Sequence, residues 1–501
     1  MRLRLPLLLA LASVAVAEIG AQTAPLARRF QPMPVRSGTF DNPTAIDVVV
    51  FQKLVTVPDA PWIRLAMDEV RLPGGSYLEI VSVQDGHRQQ LTQEGFAAWQ
   101  NTSAYFNGDA LLLRLVAAPG AEGVSVGMTQ VEVGVDAPPP PSICGSSDDR
   151  IFATDRRVCR VVSIGCTGWL INRENCLISA GHCCGGGFST AQFNVPRSSS
   201  SGSLRHPGPE DQYPVISSSI QRVNGGIGND WCVFQTRANT QTGLHAGRAQ
   251  NSWFPVTARK PAIGATIRIT GFGTASGARN QAQTTHTGPL RSRGGTTLCY
   301  STDTTGGNSG SPVIDEASGR AVGVHSHAGC SSSGGCNRGT SASRQQFIRA
   351  FGPCTPRDND RLPPESALLW TSGEGCPGST GHAPELLGLG ALGDSLHVQL
   401  DRAPSSGAAW LMVGRRADAV GTAALPLDLG ALGMPGCTLR LAPDAWLPAQ
   451  TNVDGAAAVS LDLPGTPTLV GERLLVQWLV HDPAANAAGL TLSDVGHTRV
   501  Q

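Results

Sequence analysis

Thr304-Thr305-Gly306-Gly307-Asn308-Ser309-Gly310-Ser311-Pro312-Val313 sets a serine among glycines, on a tight loop that runs into the apolar pair Val313-Ile314. Glycine reaches backbone angles that residues with a Cβ rarely adopt. Such a loop can expose the Ser309 hydroxyl and aim successive N–H groups at one point. A nucleophilic serine needs that geometry: an accessible Oγ, a base to take its proton, and donors where an oxyanion forms. A structural Gly/Ser-rich turn is the simpler reading in a chain with 60 glycines. The choice turns on whether other stretches supply a base and a group to orient it.

Two stretches upstream do so. In Cys166-Thr167-Gly168-Trp169-Leu170-Ile171 and Cys176-Leu177-Ile178-Ser179-Ala180-Gly181-His182-Cys183, an apolar strand ends in small residues that leave room around an imidazole. A disulfide from Cys183 back to Cys166 would pin the histidine loop to its neighbouring strand. In Gly228-Asn229-Asp230-Trp231-Cys232-Val233-Phe234, an aspartate stands at the mouth of a buried strand. A carboxylate there can hold a histidine in the tautomer that accepts a serine proton. Each stretch alone fits a structural role; in the order His182, Asp230, Ser309 they make a catalytic set.

These motifs carry a resemblance. Residues 143–354, about two fifths of the chain, resemble a trypsin-like (chymotrypsin-fold) serine endopeptidase domain of the bacterial secreted branch that includes glutamyl and lysyl endopeptidases. Ser179-Ala180-Gly181-His182-Cys183 resembles the family's histidine signature, Asn229-Asp230 its aspartate strand, and Gly307-Asn308-Ser309-Gly310-Ser311-Pro312 the bacterial nucleophile loop. The resemblance implies two packed six-stranded β-barrels with the triad in the cleft between them. It casts Ser309 as nucleophile, His182 as general base and then acid, and Asp230 as its orienter. The N–H groups of Gly307 and Ser309 would form the oxyanion hole. Residues 323–329 resemble the strand that pairs with substrate backbone. Asn308 stands where animal digestive members carry an acidic residue, so activation through a new N-terminal ammonium is not expected.

The substrate-binding set read from the resemblance is Asp303, Thr304, His325 and Ser326. Asp303 matches by counting the base of a basic-specific pocket, whose charge would select Arg or Lys. Thr304 and His325 resemble the residues that glutamyl endopeptidases turn on an acidic side chain, since a histidine can donate to a carboxylate. The acidic reading is the one favoured here, with the basic one open beside it.

Composition bounds the rest. The 501 residues suffice for roughly two to four domains, with zero formal net charge and 15% charged residues. No long basic run is present, which argues against nucleic acid or an anionic membrane surface as partner; proteins or peptides are the expected substrates, and no oligomeric state is indicated. Residues 1–21 read as an export signal, with Arg2 and Arg4 before an apolar core and small residues at Ala15-Val16-Ala17 or Ile19-Gly20-Ala21. No later run reaches the roughly 20 apolar residues of a transmembrane helix, so a secreted, periplasmic or cell-surface protein is expected. The 13 cysteines suit disulfides there, and their odd number leaves a thiol over. A zinc reading of His182, Cys183 and Cys184 lacks a second pair at ligand spacing, and nothing calls for another metal or cofactor.

The expected class is all-β: a central double β-barrel flanked by N- and C-terminal β-sandwiches. Residues 22–136 form the N-terminal sandwich or pro-domain, polar and Pro-containing to residue 43, then β-rich in runs 45–51, 62–67, 77–83, 110–116 and 124–133. There Trp99, Tyr105 and Phe106 read as core or edge residues, with a ligand surface as the alternative. Pro138-Pro139-Pro140-Pro141 marks a stiff linker at 137–142. The protease domain spans 143–356, with a helix expected over 341–351 that puts Phe347, Ile348 and Phe351 on one face. A connector covers 357–373, and a C-terminal sandwich 374–501, whose only two cysteines, Cys376 and Cys437, are expected to pair. Two other classes compete. A catalytically inactive homologue acting as a binding or adhesion protein need not retain the whole set. A serine esterase with a Gly-x-Ser-x-Gly elbow would need Gly at 311 and the order Ser, Asp, His; neither holds.

Overall fold

Short runs of apolar and β-branched residues, cut by glycine turns at intervals too small for helices, fold into antiparallel strands almost throughout. The computed structural model describes residues 23–135, 143–258, 260–351, 369–392, 395–453, 455–463 and 472–500. The stretch read as an export signal, the proline linker, Cys354 and most of the 357–373 connector lie outside these residues. Among the described residues, no helix is long and apolar enough to cross a membrane.

The centre is a pair of barrels. Strands β1 (Val158–Ser163), β2 (Cys166–Leu170), β3 (Cys176–Ser179), β4 (Phe188–Gln192), β5 (Gln212–Asn224) and β6 (Asp230–Thr236) close in the order β1-β2-β3-β6-β5-β4. The second is built from β7 (Thr266–Gly271), β8 (Thr284–Ser292), β9 (Thr297–Tyr300), β10 (Pro312–Asp315), β11 (Arg320–His327) and β12 (Asn337–Ser341). It runs β8-β7-β10-β11-β12-β9, and β9 pairs back onto β8 to close the ring. Closure leaves each ring without bare edges. Leu170, Leu177, Phe193 and Phe234 fill the first barrel, and Ile267, Leu290, Leu298 and Val313 the second. Between them Trp169, Trp231, Phe272 and Val324 form a shared apolar layer that fixes the cleft.

The closing helix is shorter than the sequence predicts. It spans Gln345–Arg349, and Ser341 belongs instead to β12, which pairs with both β9 and β11. Barrel closure outweighs the local helical pattern there, although Phe347, Ile348 and Phe351 are all buried.

The N-terminal module packs two sheets over one core that includes Ile63, Leu65, Ile80, Leu113 and Phe96. Its first strand lies in the stretch read as polar and Pro-containing: Arg28–Arg36 pairs with Ser125–Gly134. Pro32 and Pro34 do not forbid this, because the strand is at the sheet edge and its register shifts between Pro32 and Val35. Trp99, Tyr105 and Phe106 are buried, and Tyr105 stacks at 4.8 Å on His206 of the central domain. Around it Gln212 Oε1 accepts from Tyr105 N–H (3.0 Å) and Gln212 Nε2 donates to Tyr105 O (2.8 Å). The module is thus docked on the first barrel by paired polar groups.

The C-terminal module likewise faces a five-stranded against a three-stranded sheet, with Leu386, Val398, Leu411, Val476 and Trp478 between them. Trp370–Ser372 pairs with Leu490–Arg499, so this module's sheet already includes part of the segment read as connector. Cys376 and Cys437 are joined.

Candidate active site

His182 follows β3 by way of Ala180 and Gly181. A Cβ on Gly181 would stand 2.8 Å from Trp231 O, so the small residues let the histidine turn sit on β6. Asp230 opens β6 and is fully buried. Its Oδ1 accepts from the His182 N–H (3.0 Å), and its Oδ2 lies 2.6 Å from His182 Nδ1. A carboxylate can only accept, so the imidazole proton belongs on Nδ1 and the lone pair on Nε2. The Asp230 backbone is held across the cleft: its N–H donates to Thr340 Oγ1 (3.0 Å), whose hydroxyl returns to Asp230 O (2.9 Å).

Ser309 sits on the loop before β10. Gly307 has φ +100° and Gly310 φ +91°, the left-handed region that side chains avoid. A Cβ on Gly310 would overlap Thr167 O and Ser179 Oγ. The loop is tied to the first barrel by Thr167, whose N–H donates to Ser309 O (2.8 Å) and whose hydroxyl donates to Gly307 O (2.8 Å). Ser309 Oγ donates to Ser326 O on β11 (3.2 Å). Cys166 and Cys183 are joined, and Cys183 Sγ touches both His182 Nε2 (3.6 Å) and Ser309 O (3.7 Å). The His182 ring and the Ser309 main-chain carbonyl therefore both border this disulfide. Its bonded sulfurs offer no thiolate to a metal.

Sequence reasoning missed what braces the loop. Buried Arg150 donates to Thr305 Oγ1 (2.7 Å), to Thr274 O (2.8 Å) and, at 3.4 Å, to Asn308 Oδ1. Its own charge is met by Asp148, which it contacts twice at 2.8 Å. Asn308 Oδ1 also accepts from Thr305 N–H (2.9 Å). A neutral amide, Asn308, thus stands beside this internal guanidinium. The pattern Asp148-Asp149-Arg150 before the first strand was the only hint in the sequence.

The four substrate-binding candidates part company. Asp303 is buried with both oxygens on backbone: Oδ1 accepts from Cys144 N–H (2.8 Å) and Oδ2 from Asp149 N–H (3.0 Å). The Cys144–Cys330 disulfide holds that segment in place. Thr304 Oγ1 accepts from Asn337 Nδ2 (2.8 Å). His325 is buried, with Nδ1 2.7 Å from the Tyr300 hydroxyl, and Ser326 Oγ is 2.8 Å from His327 Nδ1. Cys184–Cys232 and Cys299–Cys336 complete the visible cross-links of the barrels, Cys176 is disulfide-bonded too, and Cys159 is the free thiol among the described residues.

Burial pushes His325 down to about 3, helped by neighbouring His327 and His182. Burial also holds His206 well below its ordinary value, with Arg160 and Arg64 adding to the effect. Both imidazoles are neutral in the fold, whereas an unfolded chain protonates them below about 6.5. The unfolded state then binds more protons, so stability is full above about pH 6.5 and falls on acidification. His325 contributes a loss on the order of 2 kcal/mol by about pH 5, and His206 acts in the same direction. Denaturation midpoints between pH 7.5 and 5 should fall accordingly, and His325→Gln should flatten part of that slope. A midpoint that does not move with pH would contradict it.

The family model of the trypsin-like peptidase domain matches residues 166–324. Among solved structures, Glu endopeptidase in complex with MPD is 19% identical, over 42% of this chain and 99% of its own, with a TM-score of 0.33. A mutant of human heparin binding protein is 16% identical over 42% of this chain and 96% of its own, with a TM-score of 0.32. A thermostable serine protease from an extremophilic microorganism is 14% identical over 40% and 97%, with a TM-score of 0.33. No curated protein is significantly similar in sequence. The chain thus carries a trypsin-like serine-protease fold, with a trypsin-like peptidase match over residues 166–324, between two further β-sheet modules.

Proposed function

We propose that the protein is an exported serine endopeptidase working through His182, Asp230 and Ser309. The carrying observation is the 2.6 Å contact of His182 Nδ1 with buried Asp230, on the same disulfide edge as Ser309. Ser309 passes its proton to His182 Nε2 and its Oγ attacks the scissile carbonyl. The N–H groups of Gly307 and Ser309 receive the oxyanion, a contribution worth about 3 kcal/mol per donor. Protonated His182, stabilised by Asp230, gives the proton to the leaving amine, and water then releases the acyl group from Ser309 by the same route. Five disulfides joining described cysteines suit an oxidising compartment and support export.

The proposed specificity is for an acidic side chain, as in the glutamyl branch. Asp303 gives both oxygens to backbone donors, which favours a structural role for it over the base of an Arg/Lys pocket. Thr304 and His325 remain as the recognising pair. Tyr300 donating to His325 Nδ1 would leave the ring's proton on Nε2, where it can meet a carboxylate. A fluorophosphonate probe should label Ser309, and a peptide library should show cleavage after Glu preferred over Arg by at least about 100-fold in kcat/KM, about 3 kcal/mol of discrimination. Exclusive cutting after Arg or Lys would sink the acidic choice. Absence of labelling in folded protein would favour a binding homologue without activity.

A further inference from the structure

Ser309 has two flanks. On one, β11 offers the Ser326 carbonyl, on the strand read as pairing with substrate backbone, which on the endopeptidase reading takes the acyl half. On the other, the loop meets β2 through Thr167, and two residues earlier Gly165 carries a main-chain carbonyl at the cleft edge. That second edge is already paired. Ala24 N–H donates to Gly165 O (2.8 Å) and Leu26 N–H donates to Ser163 O (2.9 Å), so a segment leading into the N-terminal module runs antiparallel along it. Gln281 Nε2 holds Ala24 O at 3.2 Å. The Thr23 carbonyl lies 2.8 Å from where a Cβ would stand on Gly306, the residue before the oxyanion donor Gly307. A Cβ on Gly165 would overlap the Ala24 carbonyl, so the edge admits this strand only as glycine. Leu26 is anchored among Trp62, Tyr105 and Val162.

We infer that residues 23–26 occupy the leaving-group side of the cleft and compete there with the part of a protein substrate that follows the cleaved bond. The inference rests on the endopeptidase reading above. A chain extending past the scissile bond has to leave between the Gly306 turn and the Gly165 edge, and it would pair as an added strand through the same main-chain carbonyls. Two strands cannot fill one edge. Beside the segment runs a cavity of about 610 Å³, lined by Pro25, Trp62, Leu204, Ser276 and Gln281 among others. It gives the segment somewhere to move when a substrate displaces it. A substrate that ends at the scissile amide meets no such competition.

The test compares two substrates with the same acyl half on the full chain: a p-nitroanilide, and a quenched fluorescent peptide with four residues beyond the cleaved bond. Ala24→Pro removes the N–H that pairs with Gly165. It should raise kcat/KM for the long peptide at least 10-fold, through KM, and change the anilide less than twofold. Equal changes on both substrates, or none in a folded variant, would overturn the inference. A second measurement does not depend on that variant. Amide exchange at Ala24 and Leu26 should be slow in the Ser309→Ala chain and should speed up at least 10-fold when the long peptide saturates it; unchanged exchange at saturation would also overturn it. If wild type cleaves neither substrate and takes no fluorophosphonate, the protease reading fails, and the exchange measurement still decides this one.

Discussion

Ser309→Ala is expected to lower kcat by about 10⁶-fold and abolish fluorophosphonate labelling, with a stability change within about 1 kcal/mol. The asymmetry follows from how the loop is held. Its shape comes from Gly307 and Gly310, from Thr167 bonding two loop carbonyls, and from Arg150 on Thr305 and Asn308. The Ser309 hydroxyl donates to Ser326 O at 3.2 Å, and the loop's shape does not depend on that bond. Steady-state kinetics on the best library peptide, read beside a thermal melt, checks both halves. Labelling that persists in the alanine variant would move the nucleophile elsewhere.

The second large effect is expected at Asp230. Asp230→Asn keeps the shape but should cost about 10⁴-fold in kcat, with KM nearly unchanged. The position has two acceptor duties, to the His182 N–H at 3.0 Å and to the Nδ1 side at 2.6 Å. An amide can fill only one of them with its oxygen. If the oxygen stays on the backbone N–H, the NH₂ faces Nδ1 and forces the ring proton to Nε2. Imidazole in that tautomer cannot take the Ser309 proton. The Thr340 bonds to the Asp230 backbone are untouched, so a melt should change little. A loss below 10-fold in kcat would remove Asp230 from the set.

What could be read in the sequence was local. Glycines at forced angles, small residues before His182 and an aspartate at a strand mouth leave marks within ten residues of themselves. The all-β character was legible for the same reason: strand and turn signals are short. Arg150 was not, because its importance comes from Thr274, Thr305 and Asn308 meeting it from more than a hundred residues away. Thr340 reaches Asp230 across 110 positions and is likewise silent in the sequence. Counting placed Asp303 in a pocket; only the fold shows Cys144 and Asp149 N–H groups on its carboxylate. Arg28–Arg36 hid behind its prolines, which an edge strand tolerates and a central one would not.

The guanidinium that braces the Ser309 loop comes from an internal side chain, Arg150, and this has a consequence for control. Where a loop is ordered by a newly cut terminus, activity is a switch thrown once by a cleavage. Here Arg150 supplies that bracing from within the fold, so control of the proposed enzyme would fall on access. On the inference drawn above, the strand at residues 23–26 competes as part of the same chain, so its effective concentration does not fall on dilution. Control of that kind is graded: it discounts every extended substrate by the same factor and yields first to the one that binds best.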